Sequence, residues 1–148
     1  MAAAATDTKH SSVILHASCV AVNKQALLIR GASGTGKSAL ALQMMALGAD
    51  LVADDRTELT SENEQIIARC PPAISGLIEA RGVGILRANA CTQARIVAVL
   101  DLDQTETDRL PPIREVEILG QMLPLYYIYD IPSFAAAMMQ LLQFGRHA

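Results

Sequence analysis

The segment Gly31-Ala32-Ser33-Gly34-Thr35-Gly36-Lys37-Ser38 is the part of this chain best equipped to do chemistry. It meets the pattern G-x-x-x-x-G-K-[ST] at each specified position. Glycines let the backbone turn several N–H groups inward around a phosphate, and a following helix adds its positive N-terminal end at the same point. Lys37 can then reach the β- and γ-phosphates of ATP, and the Ser38 hydroxyl is placed to coordinate a Mg²⁺ that bridges them. At average residue frequencies a chance match arises in roughly 1% of chains this long. Asp54 and Asp55 follow an apolar run, as does an acid that must meet Mg²⁺ or an attacking hydroxyl in phosphate-loop enzymes. His16 stands in an apolar stretch and reads, by itself, as a satisfied core histidine.

These residues need strands and a helix to hold them. Val13-Ile-Leu-His-Ala and Cys19-Val-Ala-Val are short apolar stretches that could pair as strands, and Gln25-Ala-Leu-Leu-Ile-Arg is a third, ended by Gly31. Asn23-Lys24 is a hairpin turn between the last two. Leu40, Ala41, Met44, Met45 and Leu47 recur at helical spacing from Lys37 on, and Gly48 supplies a left-handed stop. The order is strand, glycine loop, helix, the context in which the motif binds phosphate. Ala49–Ala53 is the next strand and delivers Asp54 and Asp55 to its C-terminal end, where open α/β sheets form their crevice. Glu58-Leu-Thr and Gln65–Arg69 read as a hairpin across Ser61-Glu-Asn-Glu, stopped by Pro71-Pro72. Residues 78–86 have no clear period. Ala94–Leu100 is a buried strand, followed by an acidic loop over residues 101–108. A last strand, residues 124–129, precedes a helix from Ser133, its candidate N-cap, to Phe144.

The 148 residues, 51% hydrophobic, fit one α/β domain with an ample core. A net charge of −3 lacks the basic footprint of a nucleic-acid binder. The longest apolar run with no charge, 131–144, contains Pro132 and falls short of the roughly 20 residues that cross a bilayer, so no membrane contact is expected. Residues 1–10 read as a disordered tail without the basic start and apolar segment of a signal peptide, and a cytoplasmic location follows. Cys19, Cys70 and Cys91 lack metal-type spacing and fit reduced core thiols.

From His16 to Leu123 the chain resembles the C-terminal catalytic domain of HPr kinase/phosphorylase, in the short alphaproteobacterial-type form, over residues 11–148 as one domain. Five ordered blocks carry the resemblance: His16-Ala-Ser-Cys-Val-Ala-Val, the glycine loop, Leu51-Val-Ala-Asp-Asp55, Glu79-Ala-Arg-Gly-Val-Gly-Ile-Leu86, and Asp108-Arg109-Leu110. The resemblance implies a core like the nucleotide-binding part of phosphoenolpyruvate carboxykinase, with a mixed β-sheet, flanking helices and hexameric assembly. It implies transfer of the γ-phosphoryl group of ATP to a serine of the phosphocarrier HPr. It makes Asp55 the base, gives Ser38 and Glu79 to Mg²⁺ with Asp54 assisting, and brings His16, Lys37 and Arg109 into the active site. In the segment after Glu79, Arg81, Gly82 and Gly84 would border the site.

The chain departs from that family near its C-terminal end. A Pro-Val-Arg-Pro-Gly-Arg-Asn loop associated with the phosphorolytic reaction is replaced by Pro124-Leu-Tyr-Tyr-Ile-Tyr-Asp. Without those arginines, kinase activity should survive and phosphorylase activity should be weak or absent. Two other readings stay open. One is a small-metabolite kinase, although no arginine-rich lid insertion lies between Asp55 and Glu79. The other is a nucleotide-sensing regulator that does not react, feeding a two-component signalling pathway.

Overall fold

The structure, a computed structural model, describes residues 12–148. The tail expected over residues 1–10 lies outside the described residues. Nine strands build one mixed sheet in the order β1-β5-β6-β9-β3-β2-β4, with β11 joining β9 and β10 joining β11. They are β1 (Ser12–Leu15), β2 (Ala17–Val22), β3 (Gln25–Arg30), β4 (Asp50–Ala53), β5 (Thr57–Glu62), β6 (Gln65–Arg69), β9 (Gln93–Thr105), β10 (Glu115–Ile118) and β11 (Gln121–Ile128). A separate hairpin is formed by β7 (Leu77–Ala80) and β8 (Gly84–Arg87), and the helices are α1 (Lys37–Ala46) and α2 (Phe134–Phe144). The architecture is the expected mixed-sheet α/β core with helices on a face.

Alternation explains the layering. In β3, Leu27 and Ile29 point to the helices while Ala26 and Leu28 point to the other face, and all four are fully buried. The helix face packs Val20, Leu40, Met44 and Leu100 with Met138 and Leu142 of α2. The opposite cluster gathers Cys19, Val52, Leu59, Ile66, Ile96 and Val99. Burial among them pushes the Cys19 thiol well above its ordinary range.

The sequence expectations meet the structure unevenly. Asn23 and Lys24 turn β2 into β3 with φ of 53° and 63°, the left-handed pair of a tight hairpin. Gly48 ends α1 with φ 112°; its N–H reaches the carbonyl of Met45, and the Ala49 N–H reaches that of Met44. The first strand does not pair with β2; β1 lies antiparallel to β5 at the sheet edge. The loop expected from residue 101 begins later, because β9 continues to Thr105, pairing with β3 through Asp101 and with β11 beyond it. Residues 78–86, without a clear period, lie within the β7–β8 hairpin. The last strand starts at Gln121 and has an antiparallel partner, β10, across a turn at Leu119-Gly120. Ser133 stands at the N-cap of α2 without a side-chain capping bond.

Leu100 is fully buried in the middle of β9, between α1 and α2 on one side and the strands on either flank. Leu100→Ala should cost about 2–5 kcal/mol, read as a lower urea midpoint at unchanged slope.

Candidate active site

Strand direction brings the chemistry together. β3 and β9 are parallel, β2 is antiparallel to β3, and β4 is antiparallel to β2, so β3, β4 and β9 all point one way. Their C-terminal ends meet at one end of the sheet with the first residues of β2. Gly31 follows β3, Asp54 and Asp55 follow β4, Asp101 and Asp103 end β9, and His16 precedes β2.

The loop from Gly31 to Gly36 folds back on itself ahead of α1. Gly31, Gly34 and Gly36 have φ of 153°, 85° and 99°, values that suit glycine. The Thr35 hydroxyl and N–H both reach the Ala32 carbonyl. Lys37 is 94% buried, and its Nζ donates to the carbonyls of Gly31 at 2.8 Å and Ala32 at 3.1 Å. No carboxylate lies within ion-pairing distance of it among the described residues. A buried ammonium compensated by carbonyl dipoles alone is a standing attraction for an anion, and its third N–H remains for a phosphate oxygen.

Opposite the loop, Asp54 is buried and gathers three donors. Its Oδ1 accepts the hydroxyls of Ser38 at 2.6 Å and Ser18 at 2.8 Å, and its Oδ2 accepts the Glu79 N–H at 3.2 Å. Asp55 is different. It is half exposed, takes φ 71°, and meets His16 Nε2 at 3.0 Å through Oδ1. Two adjacent acids thus have separate environments, one saturated and internal, one open to an incoming group.

A cleft of about 920 Å³ joins these groups. His16, Lys37, Ser38, Asp54, Asp55 and Glu79 line it, and the β7–β8 hairpin covers one side with Ile78, Arg81 and Ile85. Gly34 and Gly36 line the loop side with Ser33; Gly31, Ala32 and Thr35 form the base of the loop behind them. Arg109 does not line the cleft. It is exposed in the segment after β9. Arg56, which the sequence did not single out, does line it.

Hard oxygen donors fit Mg²⁺. Ser38, Glu79 and Asp54 offer a hydroxyl and two carboxylates, and no group of three His, Cys, Asp or Glu among the described residues forms a metal site alone. Such a partial set suits an ion that retains waters and takes phosphate oxygens from a nucleotide. The glycine loop at the N-terminus of α1 fits the phosphates themselves.

With this geometry in view, the likeness to known proteins is specific. A model of the HPr serine kinase C-terminal domain matches residues 8–108. The chain belongs to this family. HPr kinase/phosphorylase from Lacticaseibacillus casei strain BL23 is 30% identical over 125 residues, 80% of this chain and 38% of that protein. The protein of the same name from Geobacillus kaustophilus is 38% identical over 123 residues, 74% of this chain and 40% of that one. The chain therefore spans about two fifths of the length of these family relatives. A solved structure titled Hpr(Ser) kinase/phosphatase, from Coxiella burnetii, superposes with a TM-score of 0.76 at 27% identity, covering 88% of this chain and 94% of that one.

Besides Arg56, three residues at the site escaped the sequence reading. Asp103 Oδ1 accepts the Ala32 N–H at 3.0 Å, and Asp101 Oδ1 accepts the Asp103 N–H at 2.9 Å, so the end of β9 pins the start of the loop. Asp-Leu-Asp resembles solvated loop composition, and the signal was the single intervening apolar residue. Ser18 is a lone hydroxyl within an otherwise apolar buried strand.

A Cβ on Gly31 would sit 2.8 Å from Thr35 Oγ1 and 3.1 Å from Leu102 Cβ at a φ of +153°. Gly31→Ala should introduce about 1–3 kcal/mol of strain and weaken ADP binding in Mg²⁺ by about tenfold or more, measured by calorimetric titration.

Proposed function

We propose that this protein is an ATP- and Mg²⁺-dependent protein-serine kinase whose acceptor is a regulatory serine of an HPr-type phosphocarrier protein. The observation that carries the reading is the pairing of the Ser38 hydroxyl with buried Asp54 beneath a glycine loop, with the open carboxylate of Asp55 beside it. That arrangement supplies a phosphate cradle, a metal-holding hydroxyl and a free base in one cleft. Family membership supports the acceptor, since the matched relatives are named for HPr.

In this reading Asp55 takes the proton from the acceptor hydroxyl as its oxygen attacks the γ-phosphorus. The bond from that phosphorus to the β,γ-bridging oxygen breaks, and ADP leaves. His16 orients Asp55 from 3.0 Å. Lys37 meets the developing charge on the phosphoryl oxygens. Ser38 and Glu79 would hold Mg²⁺ with Asp54 behind them, and such an ion would offset charge on the β- and γ-phosphates. Asp54 is the weaker candidate for base because three donors already occupy its oxygens. A cytoplasmic homo-oligomer, hexameric by family resemblance, completes the proposal.

Labelled ATP, Mg²⁺ and HPr should yield label on HPr. Label on small molecules alone would make the protein a metabolite kinase, and no transfer at all would make it a nucleotide sensor, such as one serving a two-component pathway. Asp55→Asn should lower transfer by about 10²–10⁴-fold while nucleotide binding persists. Retention of normal turnover would assign the base elsewhere.

The reverse reaction should be weak. The strand β11, which carries most of the Pro124–Asp130 segment found here in place of the arginine loop of the resembled family, pairs with β9 and β10, and none of its residues lines the cleft. Phosphate-dependent removal of label from phospho-HPr should run at least about tenfold slower than the forward transfer. Equal rates in both directions would remove this part of the proposal.

A further inference from the structure

Ser18 is fully buried, and its one hydroxyl joins the Asp54 carboxylate to the backbone amide of Asp55. The Oγ donates to Asp54 Oδ1 at 2.8 Å and accepts the Asp55 N–H at 3.2 Å. Asp55 holds φ 71°, in the left-handed region that Asp tolerates better than most side-chain-bearing residues. The four groups form a chain from the Asp55 amide through the Ser18 hydroxyl to Asp54 Oδ1, which also receives the Ser38 hydroxyl. Hydrogen bonds joined in this way inside a protein polarise and orient one another.

We infer that Ser18 is a positioning residue, which keeps the base Asp55 in register with the metal-holding hydroxyl of Ser38 through Asp54. The inference rests on the kinase reading given above. A hydroxyl is the group this place requires, because it donates to a carboxylate and accepts from an amide at the same time, which alanine and valine cannot do. Simple anchoring of the turn falls to a neighbour. Thr57, equally buried, donates to the Ala17 carbonyl at 2.8 Å, and no other hydrogen bond of its hydroxyl reaches either acid. The Arg56 N–H closes the turn on the Asp54 carbonyl at 2.8 Å. Ser18 is therefore free to join the Asp54 carboxylate to the Asp55 amide.

The comparison of Ser18→Ala with Thr57→Val tests this, since each removes a fully buried hydroxyl beside the turn that follows β4. Ser18→Ala should lower kcat for transfer to HPr by about tenfold to hundredfold, the usual penalty of a displaced reacting group, with the ADP dissociation constant at saturating Mg²⁺ changed by less than about threefold. It should also raise the Mg²⁺ concentration needed for half-maximal ADP binding, by about fivefold, because the Ser38–Asp54 pair loses its second support. Thr57→Val should lower the melting temperature while kcat stays within about threefold of the starting protein. Both readouts unchanged in Ser18→Ala, or an equal kcat loss in Thr57→Val, would overturn the inference. If the unmodified protein transfers nothing to HPr, the kinase reading fails on its own. The shift in Mg²⁺ requirement then decides the role of Ser18.

Discussion

A carboxylate taken out of water must find donors in the protein, and Asp54 finds three from three separate elements. β2 sends the Ser18 hydroxyl, the first turn of α1 sends the Ser38 hydroxyl, and β7 sends the Glu79 N–H. Each donor satisfies a group whose burial would otherwise be costly, and each fixes the element that carries it. The cleft is thus assembled around an anion that does not itself react in the proposed chemistry. Its neighbour Asp55 is left at the surface of that assembly with a left-handed backbone and His16 beside it.

The opposite wall obeys the same rule with the sign reversed. Lys37 is buried against carbonyl oxygens, and the loop that supplies them is tied at its start to Asp103. Preorganisation of this kind matters for phosphoryl transfer, where little covalent work falls to the protein and most of the rate comes from position and charge. Gly31 matters here because the Leu102 side chain and the Thr35 hydroxyl approach it too closely for any Cβ.

How legible this was depended on the range of the forces involved. The glycine loop and α1 were readable because their signals are local: glycine conformation, helical spacing and a left-handed stop at Gly48. The central strands were readable because burial on both faces writes continuous apolar runs. Partners were harder. Val13 to Leu15 announces a strand, but its half-exposed alternation suits an edge beside β5 as well as a hairpin with β2. β10, Glu115-Val-Glu-Ile, hides behind two prolines and alternates charge outward. The two acids at the end of β9 looked like loop because the Ala32 N–H that Asp103 accepts and the Arg30 guanidinium beside Asp101 each lie 71 residues away. His16 gave nothing by itself; its pairing with Asp55 depends on β2 and β4 being neighbours. Arg109, known through resemblance alone, stands apart from the other candidates in this chain.

The thirteen residues of β9 change companions along their length. Near Arg95 the strand is flanked by β6, from Val99 onward by β11, and β3 runs along its other side. Sliding the strand by a single position would break all three ladders together and would turn Asp103 to the far face of the sheet, away from the Ala32 amide. A thirteen-residue clamp of this sort transmits alignment over distance: hydrophobic pairing at the quiet end of the molecule sets where a carboxylate sits at the reactive end.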